Sequence, residues 1–380
     1  MLPLAFLVAI VGLVLVLERW RALAPIFRWF PIPLWCYVLP MLATACGWLP
    51  SEHPSYRWAT QVLLPFALAL LLLGVDLPSV CRIGWRALGA TLIGMMSIGL
   101  GLPLIARVMH TALPPEAWKG VGTLAATWTG GSMNLLAVNT MLGTPEEIFT
   151  ALIVVDALVA YTWMACLVGL STLRTPLDHW LRAKPLTLST ASSPRPDAHP
   201  ARSTIACAFL AVALAAGAFQ LAGWLPTNTL MSARNGWTVF LVTTGALVAS
   251  LIPAIRMRAT RAPSLGYPCL YGVLAAMGAQ ANFSALWTAS AWVVLGVATA
   301  LFHGVVMLLA GRALRLPLSM FATASQANLG GVASTPIVGA VYDPRLAPVG
   351  LLLAVGLNAV GTYLGLVAAS LARWLMRLSP

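Results

Sequence analysis

Charge is the scarcest property of this 380-residue chain: Asp, Glu, Lys and Arg together make up only 8% of it, against about 25% in a soluble domain. There are 10 acids, 2 lysines and 20 arginines, while 60% of the residues are hydrophobic and the mean hydropathy is +0.88. So few charges cannot coat a surface in water, so a soluble globular protein is excluded. The net charge of +12 does not indicate nucleic-acid binding, because the arginines collect at the ends of apolar segments, where membrane topology places them.

Other absences narrow the function. The six cysteines (Cys36, Cys46, Cys81, Cys166, Cys207, Cys269) form no close pair, which excludes a disulfide framework or a cysteine metal set and leaves small core residues. No Walker motif, dinucleotide fingerprint or His-Glu-x-x-His run is present, and no histidine pair has metal-ligand spacing. The reading is therefore not an enzyme, with no cofactor beyond a coupling ion. No Lys or Arg lies in the middle of an apolar segment, so a bound anion would depend on helix dipoles, amides and bound cations. No basic run precedes the first apolar stretch, and Arg19 and Arg21 follow it. That pattern predicts an uncleaved first helix rather than a signal peptide.

What is abundant is apolar sequence broken by glycine and proline. Apolar segments run at about 2–18, 33–49, 60–80, 85–109, 118–142, 147–172, 203–225, 236–254, 266–283, 285–311, 317–342 and 346–374. Most reach the roughly 20 residues needed to span a bilayer; those at 2–18 and 266–283 are marginal. Residues 173–202, with five prolines and five basic residues, read as an exposed linker between two halves of six segments.

The halves repeat. Gly130-Gly131-Ser132-Met133-Asn134 in the first is matched by Gly330-Gly331-Val332-Ala333-Ser334 in the second, 200 residues on. Asp156-Ala157 parallels Asn358-Ala359, and Gly74-Val75-Asp76 parallels Gly278-Ala279-Gln280. Glycine-broken segments at matching places in two halves point to a transporter's binding site. Freed backbone groups at membrane depth are tolerated only where they line a cavity or are buried in protein.

Topology distinguishes two arrangements. If all twelve segments cross, with the basic linker 173–202 in the cytoplasm, the clusters at 19–32 and 81–86 fall on the wrong side. If the two glycine-broken segments are re-entrant, each half crosses five times, the halves are inverted and all five basic clusters lie inside. Arg373 and Arg377 then lie outside. The expected fold is an all-α polytopic membrane protein of two inverted six-segment repeats.

The runs Gly-Gly-Ser-Met-Asn at 130–134, Ala-Asn-Leu-Gly-Gly-Val-Ala-Ser-Thr at 327–335 and Gly361-Thr362-Tyr363-Leu364-Gly365 resemble the signatures of the YjcL-like integral membrane family, a domain of unknown function, over nearly the whole chain. Val332 and Ser334 stand where that family tends to show Pro and Thr. The resemblance implies a distant relation to cation–proton antiporters, bile-acid symporters and citrate symporters. It therefore implies a core moving against a scaffold, in a homodimer. The segments poorest in polar residues put the scaffold at 1–59 and 203–265 and the core at 60–172 and 266–374.

Asp156 is the only acid well inside an apolar segment. A charge at a helix centre costs about 2.5–3.5 kcal/mol, so it needs a partner, a proton or an ion. It is the candidate Na⁺ ligand or proton carrier, with a structural buried acid as the alternative. Thr127, Thr129, Ser132 and Asn134 from the first broken segment offer hard oxygen donors, as do Ser325, Gln326, Asn328, Ser334 and Thr335 from the second. Half-helix N-termini at Gly130, Gly131, Gly330 and Gly331 add partial positive charge. Asn358 and Thr362 are one turn apart and share a face. His303 reads as a satisfied packing histidine and Asp76 as a solvated cap.

The resulting expectation is an ion-coupled secondary transporter, in a bacterial inner membrane, of a small organic anion or amino-acid-derived solute, coupled to Na⁺ or H⁺. The rivals are a monovalent cation/proton antiporter and a membrane receptor or enzyme.

Overall fold

The computed structural model describes residues 2–23, 26–27, 30, 32–81, 83–184, 200–281 and 289–377. Arg28, Arg82 and the linker over 185–199 lie outside the described residues. All the regular structure described is helical. Among the described residues, six helices are long and apolar enough to cross a membrane, or seven if the bent pair Arg234–Ser250 and Pro253–Arg261 is one span. The other five of the twelve apolar segments are the short helices near 2–18, 32–45 and 263–280 and the two glycine-broken ones.

The chain divides into two compact units. The first comprises Met1–Val75, Asn139–Ala157 and Arg195–Ala289. It contains α1 (Leu2–Glu18), α2 (Ile32–Ala45) and α3 (Pro54–Leu72). The second comprises Asp76–Val138, Leu158–Pro194 and Ser290–Pro380. It opens with α4 (Leu77–Cys81), which Asp76 caps by accepting from Ser79 N–H at 3.3 Å and Ser79 Oγ at 2.6 Å. Next come α5 (Trp85–Val108) and α6 (Ala117–Leu142). α7 (Glu146–Gly169) passes from the first unit to the second after Ala157. α8 (Arg174–Trp180) follows. The first unit resumes with α9 (Pro200–Ala222), α10 (Arg234–Ser250), α11 (Pro253–Arg258) and α12 (Pro263–Gln280). The second ends with α13 (Ala289–Ala313), α14 (Leu318–Leu329), α15 (Gly331–Tyr342) and α16 (Leu346–Arg377).

In the first unit α3 is the hub. Its stretch Leu64–Leu72 is apolar on every face and nearly all buried, as a helix packed on all sides must be. It packs on α9, α10 and α12, and α12 packs closely on α2. A Cβ on Gly278 would lie 2.1 Å from the Tyr37 carbonyl oxygen, and one on Gly74 would lie 2.8 Å from that of Ala259. Both repeat-matched glycines thus permit backbone approach.

In the second unit Arg86, Arg174, Lys184, Arg312 and Arg315 lie at one end, while Arg107, Lys119 and Arg373 do not. Arg86 Nε donates to the Leu314 carbonyl at 2.9 Å, and its guanidinium also reaches Arg315 O. Lys184 N–H donates to Arg315 O at 3.0 Å, and Arg312 donates to Trp180 O. Asp178, paired with Arg174 at 3.5 Å, caps α14 by accepting from Leu318 N–H at 2.6 Å. Arg86 and the stretches 173–184 and 312–316 therefore share one end. Residues 173–184 are not a loose linker: α8 is helical there and Leu181 is fully buried. Beyond α15, the Arg345 guanidinium hydrogen-bonds Asp343 and holds its carboxyl down to about 2.

Candidate functional site

Both glycine-broken segments are helical hairpins in the second unit, and both lie on α16. In α6, Gly131 alone leaves helical geometry, at φ 73° and ψ −179°. Such a left-handed φ is open to glycine and costly to other residues. The chain reverses there. Gly122 and Val138 would be about 24 Å apart on a straight helix, yet both lie against Gly365 of α16. The second hairpin is α14 and α15, joined at Gly330 and at Gly331, whose φ is 65°. Thr323 from one arm and Thr335 from the other both approach Gly350 of α16, each within 3.0 Å of where its Cβ would stand.

The two hairpins lie on different stretches of α16, and their tips meet between those stretches. A Cβ on Gly331 would lie 3.8 Å from Gly131 Cα, and one on Gly131 would lie 3.6 Å from the Asn358 amide. Asn358 lies eight residues after Gly350 and seven before Gly365. The second hairpin starts and ends at the basic end, since Leu318 rests on Asp178 and Tyr342 O accepts from Arg174 at 3.3 Å. The first begins at the other end of α16, where Arg373 lies over the Trp118 ring.

Close packing holds the first hairpin to α16. Gly122, Ala126 and Gly130 run antiparallel to Ala369, Gly365 and Gly361, and such small residues let backbones approach. Asn134 then pins the tip. Its Nδ2 donates to Gly130 O at 2.5 Å and to Asn358 O at 3.0 Å, and its Oδ1 accepts from the Thr362 hydroxyl. The hydrogen-bond pattern turns the Asn358 amide nitrogen toward the hairpin, donating to Gly130 O at 2.7 Å and Ala354 O at 3.2 Å. Both acceptor positions of the Gly130 carbonyl are thus filled.

The second tip repeats the device with different chemistry. Ser334 Oγ donates to Gly330 O at 2.8 Å, the same i+4 relation as Asn134 to Gly130. Gln326 Nε2 donates to Ser334 Oγ at 2.8 Å, and Thr335 Oγ1 to Gly331 O at 2.5 Å. Asn328 Nδ2 donates to Thr91 O at 3.2 Å and Ala324 O at 3.0 Å. Gln326 and Asn328 are fully buried, yet Gln326 Oε1 and Asn328 Oδ1 have no hydrogen-bond partner among the described residues. Trp128 Nε1, buried three residues before Gly131, likewise has none. Each unmet buried group costs about 1–3 kcal/mol. The first tip amide is closed, and the second hairpin holds two open acceptors.

The expected site residues thus fall into two sets. Gly130, Gly131, Asn134, Asn358 and Thr362 form the first tip, with Ser132 partly accessible beside it. Gln326, Asn328, Gly330, Gly331, Ser334 and Thr335 form the second hairpin. Asp156 belongs to the first unit, where it is half-buried on α7. Thr127 and Thr129 are buried in the first hairpin, and Thr129 Oγ1 bonds Ala125 O at 2.7 Å. The sequence reading missed Gly350, Gly361 and Gly365 as the seats of the hairpins. Their spacing about Asn358 on one helix was the available signal. It also assigned no role to Trp128.

His303 is fully buried and bonded at both ring nitrogens. Nδ1 lies 2.8 Å from Ser97 Oγ and Nε2 lies 2.9 Å from Ser325 Oγ. Ser97 gives its own proton to Gly94 O at 2.6 Å, so it accepts from Nδ1–H. Ser325 accepts from Trp163 Nε1 at 3.0 Å, which leaves its proton for Nε2. A neutral ring with its proton on Nδ1 completes the chain. It ties α5, α7 and α13 to the first arm of the second hairpin. His303→Leu should lose two buried hydrogen bonds, about 2 kcal/mol, and Ser97→Ala about half that. Thermal unfolding in detergent checks the order. Equal midpoints for both variants would show that the chain does not bear on stability.

The chain is 24% identical over 343 residues, 86% of each chain, to a protein of Bacillus subtilis (strain 168) described as the uncharacterized membrane protein YjcL. The family described as a protein of unknown function, DUF819, matches residues 5–375. With that match across nearly its whole length, and with apolar helices able to span a bilayer, the chain belongs to the DUF819 family of membrane proteins.

Proposed function

We propose that this protein is an ion-coupled secondary transporter whose solute binds where the two hairpin tips meet. The observation that supports this is the contact of Gly131 with Gly331 beside Asn358, in the interior of a 32-residue helix. Asn358 lies about 18 Å along α16 from its start, a depth near the middle of a hydrocarbon layer about 30 Å thick. Two helices broken at that depth turn half-helix N-terminal donors toward a bound solute, while the Gly130, Gly330 and Gly331 carbonyls are taken by Asn134, Asn358, Ser334 and Thr335.

The shared end of Arg86, Arg174, Arg312 and Arg315 supports the re-entrant arrangement with that end in the cytoplasm. The second unit, carrying both tips, acts as the mobile core. The first acts as the scaffold and homodimer contact, in a bacterial cell membrane. Residues 60–75, 139–157 and 266–281 belong to the first unit, so the proposed scaffold takes in more of the chain than polarity alone suggested.

An unmet donor on the first hairpin and unmet acceptors on the second favour a solute with both an anionic and a hydrogen-bond-donating group. That description fits an amino-acid-derived compound. Half-helix N-termini take the anion, because no tip residue is cationic. The tips carry amides and hydroxyls rather than acids, which weighs against a cation/proton antiporter. Asp156 supplies the coupling charge for Na⁺ or H⁺.

A thermal-shift screen of the purified protein against amino-acid-derived solutes, with and without Na⁺, tests the reading. At least one solute should raise the midpoint in an ion- or pH-dependent way. Asp156→Asn should erase that dependence and leave the fold intact, because it keeps shape and removes charge. A variant with unchanged ion and pH response would remove Asp156 from the mechanism.

A further inference from the structure

The basic end of the second unit carries more positive charge than its own acids meet. Arg86 opens α5, Arg312 closes α13, and Arg315 follows it. Arg174 opens α8, and Arg182 and Lys184 come just after it. The bonds that tie these stretches together run to neutral carbonyls: Arg86 to Leu314 O and Arg315 O, Arg312 to Trp180 O, and Lys184 N–H to Arg315 O. Such bonds fix the stretches and leave their charge in place. Of the nearby acids, Asp178 already serves Arg174 and the Leu318 N–H, and Asp343 is held by Arg345. The Lys184 ammonium and the Arg182 and Arg315 guanidiniums are exposed and have no partner among the described residues. Arg182 and Arg315 also hold left-handed backbone, at φ 54° and 52°, which is costly for residues other than glycine. Charge repulsion and backbone strain both oppose this arrangement.

Membrane topology accounts for arginines at helix ends. It does not require separate stretches to converge there with their charge unmet. The apolar surface beside them indicates what a neutralising anion carries. Leu301, Val305 and Leu309 stand at i, i+4 and i+8 on one face of α13, each more than half exposed. That face leads to Arg312, three residues beyond Leu309. The exposed Trp180 ring lies 4.8 Å from the Arg312 guanidinium, and the exposed Trp85 precedes Arg86. Exposed indoles at helix ends mark the level of lipid headgroups. A free phosphate would engage the cations and leave the apolar face unused.

We infer that this end of the second unit binds an anionic phospholipid, its phosphate on Arg312, Arg315 and Lys184 and its acyl chains along Leu309, Val305 and Leu301. Guanidinium forks form paired charge-assisted hydrogen bonds with phosphate oxygens. Basic pockets at the ends of membrane helices suit such headgroups. Arg86 acts as a positioning residue, because it fastens the Leu314–Arg315 backbone to the start of α5.

The test is equilibrium binding of tritiated dioctanoyl-phosphatidylglycerol to the purified full-length protein in a non-ionic detergent, beside the phosphatidylcholine of equal chain length. Saturable binding of the anionic lipid is expected, about tenfold tighter than that of the zwitterionic one. Sodium phosphate and sodium octanoate at equal ionic strength should not displace it. Lys184→Gln with Arg315→Gln removes two exposed heads and should weaken binding about 25-fold, at about fivefold per charge. Thermal midpoints without lipid check that the variant folds; if it does not, Lys184→Gln alone, with about a fivefold loss, carries the test. Arg107→Gln, at the far end of α5, should leave affinity unchanged. Equal affinity for the two lipids, unchanged affinity in the folded variant, or an equal loss in Arg107→Gln overturns the inference. Displacement by phosphate assigns the cations to a free anion and overturns it as well. The site does not depend on transport: lipid binding without any solute response leaves it standing, and a solute response without lipid binding overturns it and spares the transport reading.

Discussion

Gly361→Ala is expected to lower stability by about 3 kcal/mol, a large effect for one methyl group. The added Cβ would stand 2.7 Å from Gly130 Cα, 2.9 Å from Gly130 N and 3.0 Å from Ala126 O. All three are backbone atoms, so no side chain can rotate away. Relief requires the first hairpin to move off α16, and the tip bonds of Asn134 to Asn358 and Thr362 would stretch with it. Gly217→Ala on α9 is the matched control. A Cβ there meets nothing within 4 Å, so alanine's better helix propensity should leave stability unchanged or raise it by up to about 1 kcal/mol. Thermal unfolding of both variants in one detergent reads the difference. If Gly361→Ala unfolds with the wild type, the hairpin does not rest on α16 as described.

The hairpins were legible because their chemistry is local. A glycine pair in an apolar run, a polar side chain four residues on, and the same order 200 residues later can be read without knowing what touches what. Asp76 was readable for the same reason, since a cap needs only its own turn. What holds the tips together was not. Gly350, Gly361 and Gly365 look like ordinary membrane-helix glycines until two other segments pack on them. The asymmetry between tips was hidden too: Asn134 and Gln326 are both amides, and only tertiary contacts decide which one has a spare oxygen. Helices near 2–18, 32–45 and 263–280 are apolar but short or interrupted by proline, and hydropathy alone cannot tell a short buried helix from a crossing one.

That asymmetry gives the sharpest separation of stability from function. Asn134→Leu and Gln326→Leu make nearly the same chemical change at the two tips. Asn134 spends its whole amide on Gly130 O, Asn358 O and the Thr362 hydroxyl. Removing three buried bonds at about 1 kcal/mol each should cost about 3 kcal/mol and lower the thermal midpoint with or without solute. Gln326 makes one bond, to Ser334, and already carries an unmet buried oxygen. Leucine there loses the bond and also removes the unmet group, so the two terms offset to within about 1 kcal/mol. Stability should barely change. The oxygen is what a cation or a donating solute would engage, however, so the ion-dependent solute response should vanish. Thermal midpoints of both variants, with and without the responding solute and Na⁺, give all four numbers in one experiment. A Gln326→Leu protein as unstable as Asn134→Leu, and still responsive to solute, would mean that the open acceptor is only a packing defect and that the ligand is held elsewhere.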